Sequence, residues 1–254
     1  MGAFSDALAT SQFLVTSELT PPKGTDLSGL LQKAEALRHH ITAFNLTESH
    51  TARMSMDPVA AAHLLLDSGI EPIVQMTSRD KNRIAIQASI LGAAALGISN
   101  IVFMGGDPPT NGDHPEAKPV FDLYSSQLIE AAHALASGTD FAGYPLKGTP
   151  HLTVGAVVNP GAKNLTDEIE NLRRKEDSGA AFFQSQAVFE PTAFESFMDK
   201  ARPTKPVLAG IIPIKSVKMA TYINENIPGI QIPKSLIEEI AAAGDDSDQI
   251  SRIS

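Results

Sequence analysis

Short apolar runs and longer helix-patterned stretches alternate seven times along this chain, and few architectures accept that rhythm. The runs are QFLVTSEL (12–19), ITAFNLT (41–47), EPIVQMT (71–77), NIVFMGG (100–106), HLTVGAVVN (151–159), AAFFQSQ (180–186) and PVLAGIIPI (206–214). They are near-continuously apolar rather than alternating, as strands are when helices cover them. Helical stretches follow at 26–40, 57–69, 83–97, 124–137, 164–179, 191–201 and 215–227, with a last one at 233–244. Thr25 or Asp26 stands where the first needs a cap. Regular β-α repetition gives a parallel sheet. Seven units in one domain over 1–254, with no Gly/Ser linker, favour a TIM-type (β/α)8 barrel over an open doubly wound sheet. A complete barrel needs eight strands. After Gly244 only DDSDQISRIS remains, too polar for a buried strand, so the eighth β-α unit is expected to be missing. Truncation is the simpler explanation; a partner closing the gap is the other.

The formal net charge of −9 argues against nucleic acid as the main partner, because phosphate binding needs a basic face. Without cysteine there are no disulfides and no thiolate metal ligands. No apolar run approaches the roughly 20 residues that cross a bilayer. The first residues, MGAFSDALATSQF, lack the basic-then-apolar order of a secretory signal. A cytoplasmic enzyme with no membrane partner is therefore expected. GxGxxG, GxxxxGK[ST], His-Glu-x-x-His and GxSxG are all absent, and the adjacent His39 and His40 read as a solvated helix end, so no metal site is expected.

Polar residues instead gather at strand C-termini, where barrels place their chemistry. Glu18 stands in an apolar strand just before Leu19-Thr20-Pro21-Pro22. A carboxylate desolvated in a barrel mouth would hold its proton nearer neutrality and serve as an acid; an ion-paired structural glutamate is an equal reading. Asp107 follows Met104-Gly105-Gly106, two glycines that would let backbone approach a flat ligand, although a turn aspartate before Pro108-Pro109 is common. Gln186 closes the sixth strand with a donor and an acceptor for a heterocycle edge, or simply caps the strand-loop junction. Arg79-Asp80-Lys81-Asn82-Arg83 either binds a phosphate or polyglutamate-like tail or opens a solvated helix. Glu168, Asn171, Arg174 and Lys175 recur at helical intervals, a grip for pyrophosphate or an exposed salt-bridged stripe. Two loops also stand out: the basic, Met-bearing 50–56 and the turn-rich 106–119.

Together these pieces resemble the methylenetetrahydrofolate reductase family over about Phe13 to Leu236. Ser17-Glu18-Leu19-Thr20-Pro21-Pro22 is similar to its "FEFFPP" motif and Gly106-Asp107-Pro108-Pro109 to its "RGDLPP". Asn171 to Ala180 is similar to "NLKRKVDAGA", and Gly210-Ile211-Ile212-Pro213 to "GILP". The resemblance implies FAD bound at strand C-termini, reduced by NAD(P)H, and hydride transfer that turns methylenetetrahydrofolate into methyltetrahydrofolate. It makes Glu18 the general acid and sets Asp107 near flavin and pterin. Gln186 becomes the pterin-reading amide. Glu168, Asn171, Arg174 and Lys175 then hold the ribityl and phosphate part of FAD, with Tyr124, Gly106, Gln75 and either Asn45 or Thr47 as further cofactor contacts. Gln75 replaces a histidine of the better-known bacterial pattern, Val157 a tyrosine, Val217 a phenylalanine and Gly105 an arginine. Two other readings stay open: a folate- or flavin-binding subunit inactive alone, and a folate-linked methyltransferase-type barrel. A homo-oligomer or partner subunit is also left open.

Overall fold

The computed structural model describes residues 2–253 apart from 11, 228 and 245. Seven strands, β1 (Thr16–Leu19), β2 (Ala43–Leu46), β3 (Pro72–Thr77), β4 (Asn100–Met104), β5 (Thr153–Val158), β6 (Phe182–Ala187) and β7 (Val207–Gly210), lie in chain order in one sheet. The pairings β1–β2, β2–β3, β3–β4, β4–β5 and β6–β7 are all parallel. A doubly wound sheet reverses its strand order at a switch point. This one never reverses, which is the order of a β/α barrel one unit short.

The helices are α1 (Ala3–Ala9), α2 (Ser28–Leu37), α3 (Pro58–Asp67), α4 (Arg83–Ala95), α5 (Ser125–Ala136), α6 (Leu165–Asp177), α7 (Pro191–Ala201), α8 (Val217–Asn226), α9 (Lys234–Ala243) and α10 (Ser247–Ile253). Two compact units can be distinguished, residues 1–156 with 177–182, and 157–176 with 183–254.

In the first unit β2 and β3 are buried along their whole length. Helix α3 packs on both and α5 on β4. Each helix buries a stripe at helical spacing, Ala61 and Leu65 on α3, Ile86, Ile90 and Ala93 on α4, Leu128, Ala132 and Leu135 on α5. Side chains cap the starts: Asp57 accepts from Val59 N at 2.8 Å, and Asn82 from Ile84 N and Ala85 N at 3.1 and 3.0 Å. Asp26 accepts from Ser28 N at 2.9 Å, so it is the residue that serves α2.

Two helices fall outside the sequence expectation. Helix α1 buries Phe4, whose ring meets Phe182 edge-on at 5.0 Å. Gly155 leaves room for the Phe182 ring, because a Cβ there would lie 2.5 Å from it. Helix α10 occupies the polar tail. The expected strands at 12–19 and 206–214 are trimmed. The first registered pair of β1 is Thr16 with Ala43, and Phe13 before it is 95% exposed. β7 stops at Gly210; beyond it Ile214 joins Ile223, Ile230, Ile232 and Ile240 in a cluster of the second unit. Among the described residues no helix is long and apolar enough to cross a membrane.

Candidate functional site

Register decides which polar residues share a face. Glu18 pairs with Asn45, and Asn45 with Ile73, two residues before Gln75. Alternate residues of a strand point the same way, so Glu18, Asn45 and Gln75 lie on one face of the first unit's sheet. Thr47 continues that alternation just past β2, its amide donating to Leu19 O at 3.2 Å. Asn45, Thr47 and Gln75 are buried, and Asn45 donates to Thr16 Oγ1 at 3.2 Å. The Thr47 hydroxyl is buried with no hydrogen-bond partner among the described residues. Glu18 is exposed. The desolvated carboxylate expected at this position is therefore not what the fold builds, because β1 ends the sheet and has a neighbouring strand on one side only.

The ends of β2 and β3 carry a buried ionic network that sequence reading missed. Glu48, 8% exposed, accepts from Thr77 N at 2.6 Å and Thr77 Oγ1 at 2.9 Å, and pairs with Lys81. Arg79, 3% exposed, forks onto Asp80 at 2.6–3.0 Å and reaches the carbonyls of Ser49 and Asp107 at 3.4 and 3.5 Å. The hydrogen bonds that its guanidinium donates to Asp80 hold it above the ordinary arginine range against the opposing effect of burial. Arg83 pairs with Asp122, both contacts at 2.9 Å. The block 79–83 is thus neither a free anion grip nor wholly a solvated helix start, since each of its cations already meets a carboxylate. The trace of it in the sequence is Glu48 itself, a charge set directly after the expected strand 41–47, which must find partners once buried.

Asp107 lies on the loop after β4 and is exposed. Gly106 has φ +87°, and a Cβ on it would meet Thr77 Cβ at 3.0 Å, so its smallness serves packing on β3. Gly105 has nothing within 4 Å of where a side chain would start, so of the two glycines it is the one that leaves room for a ligand. Tyr124, 80% exposed, stands at the start of α5 with its amide on Gln127 Oε1 at 2.9 Å.

In the second unit Gln186 sits on an irregularity. Register runs Phe183 with Val207 and Gln184 with Leu208, then slips so that Ala187 meets Gly210. That extra residue re-aims side chains locally, as bulges do beside binding sites. A Cβ on Gly210 would lie 2.6 Å from Ser185 O, so only glycine lets β7 pass the bulge. Gln186 Oε1 accepts from Ala187 N at 3.1 Å. On α6, Lys175 is 3% exposed and its ammonium donates to Val157 O at 2.7 Å. Burial pushes its pKa down, Glu168 opposing and Arg174 assisting. Glu168 accepts from Asn159 N at 2.9 Å. The four residues expected to act together, as a cofactor grip or a solvated stripe, are therefore divided: Lys175 and Glu168 brace the end of β5, while Asn171 is half-buried and Arg174 exposed.

This pattern can be set against known proteins. The sequence matches the methylenetetrahydrofolate reductase family over residues 3–254. The chain belongs to this family. Methylenetetrahydrofolate reductase 2 of Schizosaccharomyces pombe is 26% identical over 191 residues, 72% of this chain and 29% of the relative. The maize methylenetetrahydrofolate reductase (NADH) 1 is 28% identical over 142 residues, 52% of this chain and 24% of the relative. The chain thus spans under a third of the length of either reductase. Among solved structures, a Clostridium thermocellum protein that binds two copies of 5-methyl-5,6,7,8-tetrahydrofolic acid shares the fold. It has a TM-score of 0.64 at 16% identity, over 98% of this chain and 83% of that one.

Proposed function

We propose that this reductase-family chain converts 5,10-methylenetetrahydrofolate to 5-methyltetrahydrofolate, with FAD as hydride carrier and NAD(P)H as electron donor, on a single barrel domain. The observation that carries the reading is the polar row Glu18, Asn45 and Gln75 on one face of the first unit's sheet. Family membership supports the reaction, the maize relative's name supports a nicotinamide donor, and the Clostridium thermocellum neighbour supports a folate ligand.

Each unit by itself carries features that would suit part of a flavin nucleotide. In the second, Arg174 is an exposed cation on α6 with Asn171 one turn before it; in the first, the open side of Gly105 leaves space for a flat ring. When bound, the flavin supplies a two-electron carrier between nicotinamide and folate. Asn171 and Arg174 would hold its polar end, with Lys175 and Glu168 behind them fixing β5. Tyr124, Gly106, Thr47 and Gln75 complete the cofactor side. Glu18 donates the proton that opens the folate ring to its reactive iminium. Asp107 orients flavin and pterin, and Gln186 reads the pterin edge.

Replacing Glu18 by Gln keeps the shape and removes the acid. Glu18→Gln is expected to abolish folate reduction while the flavin is still reduced by NAD(P)H. Stopped-flow measurement of the two half-reactions decides this, and equal loss of both would remove Glu18 from its role.

A further inference from the structure

The reaction just described gives no role to Arg79, although this arginine is 3% exposed just beyond β3. A guanidinium taken out of water must be engaged on every side. What it engages is the loop that carries Asp107.

Its side chain works along two edges. Nε and Nη2 fork onto the carboxylate of Asp80, itself exposed, and so fix the plane of the guanidinium. Nη1 then reaches Ser49 O at 3.4 Å and Asp107 O at 3.5 Å. Hydrogen bonds to Asp80 first, and then the charges of Asp80, Glu48 and Asp107, keep the group charged against burial.

Its main chain holds the far end of the same loop. Arg79 O accepts from Val120 N at 2.7 Å, and Ser78 O from Phe121 N at 3.0 Å. One residue thus ties Asp107, where the loop leaves β4, to Val120, where it returns. The departure is closely packed: a Cβ on Gly106 would meet Thr77 Cβ at 3.0 Å and Arg79 Cβ at 3.3 Å. Ser49, which shares the Nη1 donor, has φ +43°, a conformation that a non-glycine residue keeps where its surroundings enforce it. Asp107 itself is exposed, and among the described residues no hydrogen bond or ion pair holds its carboxylate. Its place is therefore set through its backbone.

We infer that Arg79 is the positioning residue for Asp107: with its plane fixed by Asp80, it sets the Asp107 main chain and so the carboxylate offered to flavin and pterin. The inference rests on the folate reading above. A planar fork can serve a carboxylate on one edge and carbonyls on the other, which a lysine ammonium cannot do.

Substitutions at both ends of this chain of contacts test it. Arg79→Lys keeps the buried charge and removes the fork. Turnover of methylenetetrahydrofolate by the full chain should then lose about tenfold in kcat with KM within about twofold, the mark of a displaced reacting group. Asp80→Asn leaves the arginine in place, alters only an exposed side chain, and should lower kcat by less. On an Asp107→Asn background, where no carboxylate remains to be placed, neither change should lower the single-turnover rate further. If Arg79→Lys does not fold, Asp80→Asn completes the same cycle. Losses that multiply on that background, or a wild-type kcat in both single variants, would leave Arg79 a purely structural residue, and the inference falls while the folate reading stands. A wild-type chain that turns over no methylenetetrahydrofolate removes the folate reading and the role of Arg79 with it.

Discussion

The middle of the first unit's sheet and its outer strand use the same residue type in opposite ways. At the end of β2, Glu48 is buried and satisfied by Thr77 and Lys81. On β1, Glu18 is exposed beside Asn45. A carboxylate in the covered part of a sheet must be compensated to exist at all, so it becomes structure. A carboxylate on the open strand carries no such obligation and is free for chemistry. Position in the sheet, rather than residue type, separates the two roles.

The largest effect should therefore come from the residue that no catalytic argument uses. Glu48→Ala strands Lys81 and the Thr77 amide, and should destabilise the chain by about 3–5 kcal/mol, the usual cost of breaking a buried pair. Glu18→Ala should change stability by less than about 0.5 kcal/mol, as exposed substitutions do. Urea unfolding of both variants measures the contrast. A Glu48→Ala cost near that of Glu18→Ala would erase the distinction.

The second unit offers an intermediate case, where backbone rather than charge sets the constraint. Gly210→Ala places a methyl 2.6 Å from Ser185 O and must open the β6–β7 bulge. A loss of about 1–3 kcal/mol is expected, in the range of overpacking. Because Gln186 sits on that bulge, folate affinity should fall as well. Retained affinity in a destabilised Gly210→Ala protein would separate the glutamine from the bulge.

How far this was legible in the sequence follows the same division. Apolar runs disclosed all seven strands because their burial leaves a compositional mark. The strand lengths were overread at Phe13 and Ile211, where apolar residues continue beyond the last partner strand. Helix α1 left only Phe4 as a trace, and seven residues are too few for a periodic signal. Position at strand ends singled out Glu18, Asp107 and Gln186 but left a structural reading open for each, and the roles proposed for them come from motif resemblance. Lys175 shows why: its helical spacing with Glu168 fits a solvated stripe, and only the fold reveals the Val157 carbonyl that draws it inside. The bond that Thr77 donates to Glu48 spans 29 residues of chain, a distance no local pattern encodes.

The smallest effect belongs to an ion pair that resembles the buried network in chemistry but not in burial. Arg83 and Asp122 tie the start of α4 to the loop before α5 at the surface, the arginine exposed and the aspartate half-buried. Hydrogen bonds from the Arg83 side chain and amide hold the Asp122 carboxyl at about 2, below its usual 3.8. A carboxyl depressed in the folded state binds its proton more readily when unfolded. Its stabilisation is therefore complete above pH 3.8 and fades as pH falls toward 2. Asp122→Asn removes that dependence, so its thermal midpoint should fall less steeply than that of wild type across this window while the two run parallel near pH 6. High salt should narrow the gap, because exposed pairs are screened. Identical acid limbs for the two proteins would mean that the pair contributes nothing, leaving burial as the sole property that makes a charge in this fold structural.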